Sequence, residues 1–115
     1  MLHLETLEDL RALGEDDPVF FPSLLAAFLD SLNSRLPSIE SAIQERSGEK
    51  LALAAHALKS SCYNLGAQVL GELCQALENL GKLGNTEGAD VLWRALLIES
   101  IAVQKEISEL PEMMK

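Results

Sequence analysis

Few of the residues that build sheets, metal sites or disulfides are present in this chain. Aromatic residues make up 4% of its 115 positions and β-branched ones are sparse, while leucine and alanine carry most of a 48% hydrophobic content. That balance disfavours strands and favours helices. Two cysteines occur, Cys62 and Cys74, twelve positions apart and without C-x-x-C spacing. They suggest neither a zinc site nor a disulfide framework, and two buried, reduced thiols are the simpler expectation. Basic residues are half as many as acidic ones, nine against eighteen, and no local basic patch relieves the formal charge of −9. Such a surface repels nucleic acid and anionic lipid, so neither is expected as a partner. Long apolar runs are missing as well: "VLWRALLIESIAV" is broken by Arg94 and Glu99, and "MLHLETLEDL" has no positive stretch leading into an apolar one. No membrane insertion is expected, and the predicted location is the cytoplasm. A chain of this length sits near the commonest domain size, which predicts a single domain over residues 1–115 with one core.

What is present divides at turn residues into helical segments, without repeats. Leucines at 4, 7, 10 and 13 form a narrow apolar stripe ended by "GEDDP", a short first helix. Asp17 and Pro18 predict the N-cap and first turn of a longer helix, with Phe21, Leu24, Leu25, Phe28 and Leu32 on one face. Pro37 lies inside the continuing pattern and predicts a kink or a break and restart near Arg35 and Leu36. A third helix, roughly 49–64, buries Leu51, Ala55, Leu58, Cys62 and Leu65 and ends at Gly66 as its left-handed cap. A fourth, about 68–82, buries Leu70, Leu73, Cys74, Leu77 and Leu80. A fifth, about 87–110, has Leu92, Leu96, Ile98, Val103 and Ile107 among its apolar positions before Pro111. Short connections make neighbours antiparallel, so the predicted fold is all-α: an up-down antiparallel four-helix bundle with a short extra N-terminal helix. Four long helices complete a bundle within one chain, which predicts a monomer.

One stretch stands apart. In "AAHALKSSCYNLGA", residues 54–67, His56 lies some 150° from the centre of the buried stripe at about 100° per residue, so it faces outward. Ala52, Lys59, Ser60 and Tyr63 share its side of the helix. Small neighbours leave the imidazole standing proud, as an accessible nucleophile would, and Lys59 offers a positive charge for a dianionic group on the ring. Its side chain is predicted to be exposed. A lone histidine on a helix surface is more often merely a solvated polar residue, and spacing alone does not overcome that. No metal site is indicated, since the other histidine is His3 and no H-x-x-x-H or cysteine pair accompanies His56. Ser60 and Ser61 have no oxyanion hole or G-x-S-x-G elbow and serve as small packing residues.

At these residues the sequence resembles the histidine phosphotransfer (HPt) domains of multistep two-component phosphorelays. Their signature reads approximately A-H-x-L-K-G-S-S/A-x-x-L/I/V-G-A/S, and residues 55–67 read AHALKSSCYNLGA. The likeness extends into "LGELCQALENLGK" and back over the N-terminal segments, covering nearly the whole chain. The resemblance implies that His56 accepts a phosphoryl group on Nε2, that Lys59 stabilises it, and that Glu78 orients the ring by accepting a hydrogen bond from Nδ1–H. Taken alone, Glu78 reads as a solvated surface glutamate, on the flank of its helix one position after buried Leu77. The family usually has glycine where Ser60 stands, and Tyr63 occupies a position that is often small; both bear on how closely a partner approaches.

The function implied is a stoichiometric phosphoryl carrier, not an enzyme, relaying between the aspartates of response-regulator receiver domains, which supply Mg²⁺. No cofactor is expected in the chain itself. Partner binding is assigned to Ala52, Ser60, Tyr63 and, by analogy with the family's N-terminal helix, Leu10, with Leu7 and Phe20 as further candidates. The alternative is an HPt-like scaffold that regulates a partner by docking without transfer; the joint presence of His56, Lys59 and Glu78 argues against it. A sensor-kinase dimerisation domain would need an H-E-x-x-T/N-P type motif, which is absent. A free-standing carrier and the end of a hybrid sensor kinase both remain open.

Overall fold

The computed structural model describes residues 1–114. Five helices follow one another, α1 (Leu4–Leu13), α2 (Phe20–Gln44), α3 (Gly48–Leu65), α4 (Gln68–Lys82) and α5 (Ala89–Ser108), with a 3₁₀ turn at Pro111–Met113 and no strand among the described residues. The four long helices run up and down around a shared core. Helix α3 packs between α2 and α4, and α5 closes the ring between α4 and α2, which leaves α3 and α5 on opposite corners. The outline is a rod of 46 × 21 × 21 Å, with α1 laid against α3 at one end. Arg11 of α1 pairs there with Glu112 at 2.8 Å, and its guanidinium lies 5.0 Å from the Phe21 ring centre.

The core follows the expected stripes most closely in α3. Leu51, Ala55, Leu58 and Cys62 are fully enclosed and Leu65 nearly so, since steps of four and three keep them on one side of a 3.6-residue turn. Ser47 caps the N-terminus by accepting from the Lys50 amide at 3.2 Å. Gly66 closes the other end at φ +84°, and the Ala67 amide reaches back to the Cys62 carbonyl at 2.8 Å. Only a residue without a Cβ adopts that left-handed geometry cheaply, so the chain reverses into α4 within two residues. In α4, Leu70, Cys74 and Leu77 are fully buried, while Leu73 and Leu80 are only half-buried at the edges. Cys62 and Cys74 are both free and buried. Their mutual hydrogen bond, followed by burial, pushes the Cys62 thiol well above its usual range.

Four features differ from the expected pattern. In α1 only Leu7 is buried; Leu10 is half-buried and Leu4 and Leu13 are exposed. Strict steps of three fall back about 60° per step on a helix, so the four leucines span half its circumference and cannot all face one neighbour. Leu2, ahead of the helix, enters the core instead. At the start of α2, Asp17 does not cap the helix directly: its carboxylate accepts from the Val19 amide at 3.1 Å, forming a turn from which the helix begins at Phe20. Of the kink or break expected at Pro37, the break does not occur, and α2 runs through as 25 helical residues. Leu32 and Ile39, on either side of the proline, are both sealed in the same core, and packing of both halves outweighs the one hydrogen bond that proline cannot donate. Ile98, finally, lies on the outer face of α5, while Ser100 is buried and satisfies its hydroxyl on the Leu97 carbonyl at 2.8 Å.

Candidate functional site

The α3–α4 hairpin is drawn together at both ends. At one end is the two-residue reversal through Gly66. At the other, α3 and α4 touch backbone to backbone: a methyl group on Gly81 would sit 2.5 Å from the Gly48 carbonyl oxygen and 2.7 Å from the Ala52 amide nitrogen. Between these points the flank of α4 bearing Gln75, Glu78 and Lys82 faces the flank of α3 bearing His56 and Lys59. These residues fall three and four apart along each helix, so each set presents one surface.

Glu78 is the centre of the arrangement. Its carboxylate is buried, 3% exposed, beside an imidazole that is 60% exposed. His56 Nδ1 lies 3.1 and 3.2 Å from the two carboxylate oxygens, Lys59 Nζ 2.8 Å from Oε1, and Lys82 Nζ 2.9 Å from Oε2. The Lys59 hydrogen bond, ahead of those from Lys82 and His56, overcomes the opposing effect of burial and holds the carboxyl down at about 2. Glu78 is therefore an anion near neutral pH, and an anionic carboxylate only accepts hydrogen bonds. The Nδ1 of His56 must then carry the hydrogen, which in the neutral ring leaves the lone pair on Nε2. A buried charge of this kind is tolerated because it is fully paired.

Lys59 is not the exposed side chain expected from the sequence. Only 17% of it meets solvent, because its ammonium is drawn across to α4 by Glu78 and by Gln75 Oε1 at 2.9 Å. Gln75 is oriented in turn by donating to Asn79 Oδ1 at 2.9 Å. Ser60 is exposed and returns its hydroxyl to the His56 carbonyl at 3.3 Å. Tyr63 remains 45% exposed, with its ring lying over Gly71 of α4, where a Cβ would come within 2.7 Å of it. Ala52 is half-buried against Gly81. Leu10 stands apart from the imidazole cluster and, with Phe20, Leu24, Phe28 and Leu65, lines a groove of about 360 Å³ between α1, α2 and α3. Two members of the cluster, Lys82 and Gln75, were not anticipated; the available signal was their spacing of four after and three before Glu78.

The family model described as Hpt domain matches residues 23–113. Among solved structures, the chain is similar to histidine-containing phosphotransfer protein B (HptB) from Pseudomonas aeruginosa PAO1, at 30% identity and a TM-score of 0.85, covering 94% of this chain and 91% of that one. No curated protein matched the sequence.

Proposed function

The chain belongs to the Hpt domain family, a family of phosphocarriers in two-component signalling, and from that premise we propose that it is a one-domain cytoplasmic carrier that relays a phosphoryl group between receiver-domain aspartates through phosphohistidine at His56. The observation that carries this reading is the exposed imidazole whose Nδ1 is held by a buried, ionised Glu78. In the transfer the P–O bond to the donor aspartate breaks and its electron pair stays on the carboxylate, while the Nε2 lone pair forms the P–N bond. Nδ1–H remains on the ring throughout, and Glu78 stabilises the positive charge the ring acquires. Phosphoryl transfer of this loose kind is governed by alignment and charge, and it needs no base for a nitrogen that already has its lone pair.

The chain's own cations are arranged for the incoming charge. Lys59 spends two of its three N–H donors on Glu78 and Gln75, which leaves one for a phosphoryl oxygen, and Lys82 spends one on Glu78. Mg²⁺ belongs to the receiver's acidic pocket. Ser60, Ala52 and Tyr63 border the imidazole on α3, and the apolar groove at Leu10, which reaches Ser61 and Asn64 of the same helix, supplies a separate desolvated patch; together they form the receiver-docking face. All five polar residues of the cluster come from one hairpin, so the transferring unit is a single chain. No described helix is long and apolar enough to cross a membrane.

The test is to incubate the protein with a radiolabelled phospho-receiver and Mg²⁺. Wild type is expected to take up acid-labile, alkali-stable label, and His56→Gln none. Equal labelling of the two, or docking of wild type without any label, would remove the carrier reading and leave the scaffold.

A further inference from the structure

A lysine at a protein surface ordinarily sweeps its ammonium through solvent, because a long side chain gives up rotamer freedom only where something holds it. Lys59 is held twice. Its ammonium donates to Glu78 Oε1 at 2.8 Å and to Gln75 Oε1 at 2.9 Å. The second anchor is itself anchored: Gln75 Nε2 donates to Asn79 Oδ1 at 2.9 Å, one turn further along α4. Chemistry requires this order, since an ammonium has only donors and must meet the carbonyl oxygen of the glutamine, which turns the amide NH₂ towards Asn79. Gln75 stands three residues before Glu78, so the two acceptors lie side by side on the flank of α4 that faces α3.

Charge pairing does not account for Gln75. Glu78 already supplies the negative charge opposite Lys59, and an uncharged amide adds an acceptor without neutralising anything. The cluster therefore keeps a surplus, because Lys59 and Lys82 together outweigh Glu78 by one positive charge. What the amide adds is direction. A single hydrogen bond leaves an ammonium free to turn about it, whereas two bonds to fixed acceptors stop the rotation and set where the third N–H points.

We propose that Gln75 is a positioning residue for phosphoryl transfer: held by Asn79, it fixes the Lys59 ammonium so that its free N–H is aimed before the phosphoryl group arrives, and it does so without cancelling the positive charge. This rests on the carrier reading and deepens it. A donor oriented in advance needs no reorganisation at the moment of transfer, which is where such a contact lowers a barrier. Gln75 acts only through Lys59, so two consequences follow. A carboxylate at position 75 would grip the ammonium as firmly but bring the cluster to neutrality, and cannot take the place of the amide. Without Lys59, the residue at position 75 is immaterial to transfer.

Two readouts test this, one of them free of any phosphoryl group. In nitrogen-edited NMR at low temperature, wild type should show a protected ammonium signal, assigned to Lys59 by its absence from Lys59→Ala, and Gln75→Leu should lose it to solvent exchange. Label transfer from the phospho-receiver should slow about three- to tenfold in Gln75→Leu and further in Gln75→Glu, while Gln75→Leu added to Lys59→Ala should change nothing more. Circular dichroism confirms that each variant folds. A Lys59 signal missing from wild type or surviving in Gln75→Leu, transfer by Gln75→Leu or Gln75→Glu as fast as wild type, or a Gln75→Leu effect that persists without Lys59 would each overturn the proposal and leave the carrier reading standing. A wild type that takes up no label overturns both.

Discussion

Acid titration of wild type beside Glu78→Gln isolates the charge at the centre of the polar cluster. An ordinary glutamate titrates near 4.5, and Glu78 in the folded chain is held down at about 2. At about 1.4 kcal/mol per pH unit, that difference is worth about 3 kcal/mol of folding stability, a sizeable share of the 5–15 kcal/mol typical of a domain. Because the folded-state value is the lower one, the contribution is complete above about pH 5 and is lost as pH falls through 4.5 towards 2. At pH 3 about 2 kcal/mol of it should already be gone. Glutamine keeps the shape and one acceptor oxygen but cannot ionise, so its own stability curve lacks this component, while the other carboxylates titrate alike in both proteins and largely cancel. Urea unfolding followed by circular dichroism from pH 7 to pH 3 should therefore show the stability difference between the two proteins shrinking by about 2 kcal/mol towards acid. A difference that stays constant with pH would mean that Lys59 and Lys82 do not hold an anion at Glu78, and the tautomer argument for His56 would lose its footing.

Other variants probe the same hairpin. Lys59→Ala removes a charge-assisted hydrogen bond worth about 1.5–3 kcal/mol, so label transfer from a phospho-receiver should slow by about ten- to a hundredfold with the helical spectrum unchanged. Lys82→Ala, whose ammonium is mostly in solvent, should slow transfer less than Lys59→Ala does; an equal or larger effect would reverse their assigned ranks. Gly81→Val must push α4 away from the Gly48 carbonyl and carry Glu78 with it, so it should lower the melting temperature and slow transfer together, and a loss in only one of the two readouts would contradict the coupling. Leu58→Ala, in the fully enclosed core of α3, should cost about 2–5 kcal/mol in urea unfolding.

Periodicity read the third helix well because it crosses the bundle with a full apolar stripe, and Gly66 is the one position there whose backbone demands glycine. It read α1 poorly because four leucines three apart look like a face only while the drift of the helix is ignored. Pro37 shows the converse: a local rule about a missing hydrogen bond yielded to burial on both sides, which no local window contains.

The sequence by itself determined the helices, the side of α3 on which His56 stands and, through the AHALKSS stretch, the chemistry to look for. Helical spacing names the face of a residue but not the neighbour across from it. Only the tertiary structure decided that α3 and α4 meet closely enough at Gly48 and Gly81 for Glu78 to be buried, and only there does one carboxylate gather His56, Lys59 and Lys82. An exposed lysine and a solvated glutamate became a paired, half-enclosed cluster because charges brought out of water must find one another.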